Sequence, residues 1–149
     1  MPDLWPDNIT SVDVTTPSPL AILKEQAAAL GQKTANIVEG NVNSAPENAR
    51  ELPGDFWYSF HIVGPVLGNY RYRLFRVGFP HAMYPVSIIP DEDVLSEVRK
   101  KPFIVRSNAV AGEFLEAKND KEFKDVLQAI FGAEKTKRVI QAILSQSRG

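Results

Sequence analysis

Phe56-Trp57-Tyr58-Ser59-Phe60-His61-Ile62-Val63 and Tyr70-Arg71-Tyr72-Arg73-Leu74-Phe75-Arg76-Val77, separated by Gly64-Pro65-Val66-Leu67-Gly68-Asn69, decide the fold. In the first run Phe56, Tyr58, Phe60 and Ile62 alternate with Trp57, Ser59, His61 and Val63, the period of two that an extended strand imposes on its side chains. The glycines and proline between the runs turn the chain, so the pair reads as an antiparallel hairpin. Gly78-Phe79-Pro80-His81-Ala82-Met83 leads to a third strand, Tyr84-Pro85-Val86-Ser87-Ile88-Ile89. Pro85 has no N–H for a ladder, which places it at an edge or where the strand begins.

Helical signals flank this β region. Ser18 and Pro19 suit the cap and first turn of a helix in which Leu20, Leu23, Ala27 and Leu30 share a stripe, with Gly31 as the expected exit. A strand of modest quality follows at 36–42. Residues 44–54 have the composition of a loop, and greatest mobility is expected there. After Pro90, acids first and bases last over 91–101 match a helix dipole, and Pro102 stops the helix. Phe103-Ile104-Val105-Arg106 reads as a short strand, and Phe114 and Leu115 suggest a short helix within 109–117. Asn119 and Glu122 have capping-box spacing ahead of an apolar stripe ending at Gly132, and a last helix begins near Ala133 with Lys135, Lys137 and Arg138 outward. Residues 1–16 read as an irregular arm from which Trp5 packs onto the rest. Residues 17–149 form one domain of the α+β class, an antiparallel sheet of three to five strands packed against an N-terminal helix and C-terminal helices.

Strict alternation assigns Tyr70, Tyr72 and Leu74 to the helix-covered face and Arg71, Arg73 and Phe75 to the open face, beside Trp57 and His61. An aromatic ring among guanidinium groups can stack a base and neutralise phosphate. The same residues are also ordinary cross-strand neighbours on a solvated sheet, where a cation–π pair contributes only about 0.5–1 kcal/mol. His61 and His81 are the side chains whose ordinary pKa lies near neutrality. Brought together, they could serve as acid and base for metal-independent RNA cleavage, with Arg71 or Arg73 stabilising transition-state charge. Taken singly, one is a sheet residue and the other a turn residue.

Composition narrows the chemistry further. The 149 residues include no cysteine and two histidines, so disulfides, thiolate catalysis and cysteine zinc sites are excluded. Asp91, Glu92 and Asp93 lack the EF-hand spacing and read as helix-capping acids, so no metal and no cofactor is expected. Phosphate-loop, dinucleotide, zincin and nucleophile-elbow motifs are absent. Net charge −1 conceals an uneven distribution. Residues 1–54 hold three bases and seven acids, whereas 55–90 hold three bases and one acid. That balance does not suit a dedicated duplex-binding domain. Asp3 and Asp7 with Pro2 and Pro6 stand where a secretory signal has bases and an apolar core, and no apolar run approaches the roughly 20 residues of a membrane span. The expectation is a cytoplasmic protein without a membrane partner.

Pro19-Leu20-Ala21-Ile22-Leu23-Lys24-Glu25-Gln26, with Leu30-Gly31-Gln32-Lys33-Thr34, resembles the opening of small bacterial proteins of uncharacterised activity. The resemblance implies a bacterial origin and no particular chemistry. Gly68-Asn69-Tyr70-Arg71-Tyr72-Arg73-Leu74 looks like the Gly-x-Tyr-Arg-x-Arg strand of small ribosome-dependent ribonuclease toxins, over seven residues. That resemblance implies RNA cleavage as an alternative activity. The residues themselves favour a non-catalytic binding module that uses Trp57, His61, Arg71, Arg73 and Phe75, with His81 as a further candidate. Its expected partner is a protein or small ligand, with single-stranded nucleic acid as the alternative. Uncovered sheet edges and apolar C-terminal helices leave room for self-association.

Overall fold

The computed structural model describes residues 3–11, 15–45 and 51–148. Ten elements follow in order: α1 (Pro19–Lys33), β1 (Glu39–Ser44), β2 (Phe56–Gly64), β3 (Tyr70–Phe79), β4 (Val86–Pro90), α2 (Glu92–Val98), β5 (Ile104–Asn108), β6 (Gly112–Ala117), α3 (Asp120–Phe131) and α4 (Glu134–Arg148). The strands form one sheet in the order β1-β2-β3-β4-β6-β5, antiparallel throughout. The class is α+β, and the sheet has six strands where three to five were expected.

The sixth strand comes from the segment read as a short helix. Asn108 accepts from the amides of Val110 (3.0 Å) and Ala111 (2.6 Å), and Gly112 takes φ 74°, so the chain turns back and pairs β6 with both β5 and β4. Leu115 and Ala117 then reach the core, while Phe114 is buried on the opposite face. Pro85 lies just ahead of β4, so its missing N–H interrupts no pairing.

Local capping sets the helices. Ser18 accepts from the Ala21 amide at 3.1 Å with Pro19 in the first turn. Gly31 does not end α1, which runs two residues further to Lys33. There the Thr34 hydroxyl bonds the carbonyls of Leu30 (3.0 Å) and Val38 (2.8 Å) and supplies the stop instead. Asn119 accepts from the Glu122 amide at 2.8 Å, and Glu122 reaches back to the Lys118 amide at 3.0 Å. Asp91 caps α2 through the Asp93 amide at 3.1 Å.

All four helices bury residues against one face of the sheet, as Ile22, Leu23, Val94, Phe123, Ile130 and Ile143 join Phe60, Ile62, Val77, Ile88 and Leu115 in a single core. Among the described residues the other face carries no helix. Trp5 does not pack: it is 71% exposed, as Leu4 and Ile9 are largely exposed beside it. Just ahead of α1 the Tyr84 hydroxyl donates to the Pro17 carbonyl at 3.0 Å. Val12 and residues 46–50 of the loop lie outside the described residues. Among the described residues no helix is long and apolar enough to cross a membrane.

Candidate binding surface

The helix-free face depends on one irregularity in β3. Phe60 of β2 pairs with Phe75, but His61 pairs with Arg73, so Leu74 is an extra residue in β3. Such a bulge shifts the side-chain alternation by one position. On its C-terminal side Phe75, Val77 and Phe79 face the helices. On its N-terminal side Tyr72 and Tyr70 do so, opposite Ile62 and Gly64. Arg71, Arg73 and Arg76 therefore share the open face, where strict alternation offers only the first two.

Phe75 is a correction to the expected surface. It is 1% exposed and stacks on Phe60 within the core, so it cannot touch a partner. Trp57 does lie on the open face, but as a strut. Its Nε1 donates to the Leu52 carbonyl at 2.8 Å. Its ring also lies close against Gly78, where an added Cβ would stand 3.2 Å from the indole, 3.0 Å from Leu52 and 2.7 Å from the Pro53 carbonyl. A glycine at 78 thus lets residues 51–54 lie across this end of the sheet. Glu51 adds an ion pair to Arg76 at 2.8 Å.

The exposed part lies toward the other end of β2 and β3. Asn41, His61 and Arg73 stand side by side on β1, β2 and β3, with Arg71 in the adjoining row. Arg71 reaches across β2 and donates to Asn43 Oδ1 at 2.9 Å. Arg73 is exposed, and no side chain among the described residues accepts from it. His61 is partly buried, and its Nδ1 has no hydrogen-bond partner among them. Burial first, then the charges of Arg71 and Arg73, push its imidazole below the ordinary value of 6.5 and favour the neutral form. The cluster is a pair of guanidinium groups beside a neutral imidazole, with no carboxylate in the same rows apart from Glu39 at the edge.

His81 lies elsewhere. Its Nδ1 is 3.1 Å from Asp55 Oδ2, the same oxygen accepts from its backbone amide at 3.0 Å, and its ring meets Phe56 edge-on at 5.2 Å. Phe56 and His61 are five positions apart on β2, about 16 Å, and point to opposite faces. The two imidazoles do not share a site, so the structure does not assemble the acid–base pair considered for RNA cleavage. Among the described residues no group of three or more His, Asp or Glu side chains could hold a metal ion. Asp91 caps α2, with Glu92 and Asp93 in its first turn. Lys135 is bound to Asp93 at 3.1 Å and Lys137 to Glu134 at 3.2 Å.

Compared with models of known protein families, with curated proteins and with solved structures, the chain matches none.

Proposed function

We propose that the chain is a non-catalytic binding module that holds an acidic segment of a partner protein on the helix-free face of its sheet. Arg71 and Arg73 are the charged contacts, and His61 and Asn41 lie beside them. One observation carries the reading: the extra residue at Leu74 puts every arginine of β3 on the face that no helix covers. Guanidinium groups bind carboxylates with paired, charge-assisted hydrogen bonds. The chain's own Glu51 already places a carboxylate on the third arginine of this row. A single exposed ion pair contributes only about 0–1 kcal/mol, so a useful partner has to engage Arg73 and, in place of Asn43, Arg71 together.

A passive single-strand binder would need rings to stack bases on. Phe75 is in the core and Trp57 is engaged by Leu52 and Gly78, which favours the acidic peptide. Fluorescence anisotropy with a short glutamate-rich peptide and an oligothymidylate as probes tests the choice. The double substitution Arg71→Ala/Arg73→Ala is expected to weaken peptide binding at least about tenfold while the thermal midpoint stays near that of the parent. Unchanged peptide affinity would sink the proposal. Oligothymidylate binding that is tighter than peptide binding and falls steeply with salt would transfer the face to nucleic acid.

A further inference from the structure

The helical side of the sheet contains a cleft that the proposed peptide surface does not use. α1 is seated tightly on β1, where a Cβ at Gly40 would stand 2.6 Å from Ala27 Cα. Elsewhere on α1, Ile22, Gln26, Ala29, Leu30 and Lys33 recur at the spacing of one helical stripe and border two cavities of about 330 Å³ each. The cavities meet at Gln26 and Phe131. The first is lined by Phe60, Ile62 and Leu74 of the sheet and by Ile140 of α4, and the second extends toward Leu127 and Lys124 of α3.

We propose that this cleft binds an aliphatic monocarboxylate, its chain lying along α1 against the partly exposed Leu30, Phe131 and Ile140, above the buried Phe60, Ile62 and Leu74, and its carboxylate on Lys33. Size is the first argument. Protein interiors pack as densely as organic crystals, and an apolar cavity of about 150 Å³ takes one benzene ring. A section more than twice that size takes about a dozen carbon atoms. Shape agrees, because the stripe from Ile22 to Lys33 extends about 16 Å along the helix axis.

Charge selects the head group. Among the described residues no acid borders either cavity, and the ionised residues that do are Lys33 and Lys124. Lys33 has no ion-pair partner among the described residues. The Thr136 hydroxyl already donates to the Ile130 carbonyl at 2.6 Å, which leaves Gln26 and Lys33 as the polar side chains of the first cavity able to donate to a ligand. A lysine in the last turn also complements the helix dipole. That accounts for a charge at position 33, but not for the apolar space beside it.

Dodecanoate below its micellar concentration is the probe, with dodecanol as the uncharged control and methyl-resolved NMR as the readout. The methyls of Leu30, Ile62, Leu74 and Ile140 are expected to shift saturably, while those of the exposed Val66 and Val110 stay in place. Lys33→Glu should weaken dodecanoate at least about tenfold and leave dodecanol nearly unchanged. Ala29→Phe should fill the cavity and exclude both. Shifts that never saturate and spread over Val66 and Val110, or equal dodecanoate affinity in Lys33→Glu, overturn the proposal. Lys33 is exposed, so its variant decides the matter even if Ala29→Phe fails to fold. Failure of the glutamate-rich peptide to bind leaves this test untouched, because the two surfaces lie on opposite sides of the sheet.

Discussion

Phe75 lies flat against Phe60, with ring centroids 5.1 Å apart and planes 10° from parallel, although alternation counted from Arg71 and Arg73 assigns it to the other face. The extra residue at Leu74 reconciles the two. It leaves Leu74 fully buried, returns Phe75 to the core and sends Arg76 outward. Phe131 closes on both rings, at 5.5 Å from Phe60 and 6.1 Å from Phe75. This aromatic triad holds α3 to the sheet and fixes which face receives the arginines.

Phe75→Ala is therefore expected to cost about 3–5 kcal/mol, the range for removing a large buried aromatic side chain. Arg73→Ala, on the exposed face of the same strand, should stay within about 0.5 kcal/mol of the parent. Urea unfolding of the two variants measures both. Equal effects would mean that the bulge does not separate core from surface in this way.

Gly40→Ala tests how α1 is seated. Its Cβ would meet Ala27 Cα at 2.6 Å and the Ala27 Cβ at 2.9 Å, and backbone cannot yield as a flexible side-chain tip can. Overpacking of this kind costs about 1–3 kcal/mol. A thermal midpoint equal to that of the parent would show that α1 tolerates displacement from β1.

Much of this architecture can be read from neighbours in sequence. The alternation of β2, the caps at Ser18 and Asn119 and the acid-first order of α2 are local signals, and each element begins where its signal stands, although α2 ends at Val98, short of Lys100, Lys101 and Pro102. The bulge at Leu74 has no such signal. Leu74-Phe75 is an apolar pair that either face could take, and Phe60 and Phe131, distant in the chain, decide the matter. Phe114-Leu115 suggests a helix for a related reason, since a short apolar run suits a helix or a strand until its partner strand is known. Trp57 read as a ligand surface because the Leu52 carbonyl and the bare backbone of Gly78 are visible only after folding. The cleft along α1 was equally hidden, because whether a helical stripe is covered depends on where α3 and α4 settle.

The depressed pKa of His61 makes a prediction with a definite sign. In the unfolded chain the imidazole titrates near 6.5, while in the fold burial, Arg71 and Arg73 hold its value lower. As pH falls through 6.5 toward the folded value, the unfolded state binds more protons and the native state loses stability. His61→Gln should remove that part of the acid sensitivity, so the stability difference between parent and variant shifts against the parent as pH is lowered. NMR titration of the His61 ring should give a midpoint below 6.5 that rises in Arg73→Ala. A midpoint at or above 6.5 in the parent would contradict the electrostatics described for this face.

Glu51→Ala asks whether the chain's own carboxylate competes with a partner. Glu51 holds Arg76 at 2.8 Å, and both side chains are at least two-thirds buried, so this pair is less screened by solvent than the other ion pairs of the surface. Removing the carboxylate releases the Arg76 guanidinium, in line with Arg73 and Arg71, from its ion pair. If the face binds acidic segments through this row, the variant should bind the glutamate-rich peptide several-fold more tightly, with a steeper dependence on salt. The Leu52 carbonyl still receives the Trp57 indole in the variant, so tryptophan fluorescence should change little and separates this effect from loss of the 51–54 segment. Weaker peptide binding with unchanged fluorescence would reverse the argument, because Glu51 would then be orienting Arg76 for the partner rather than occupying its place.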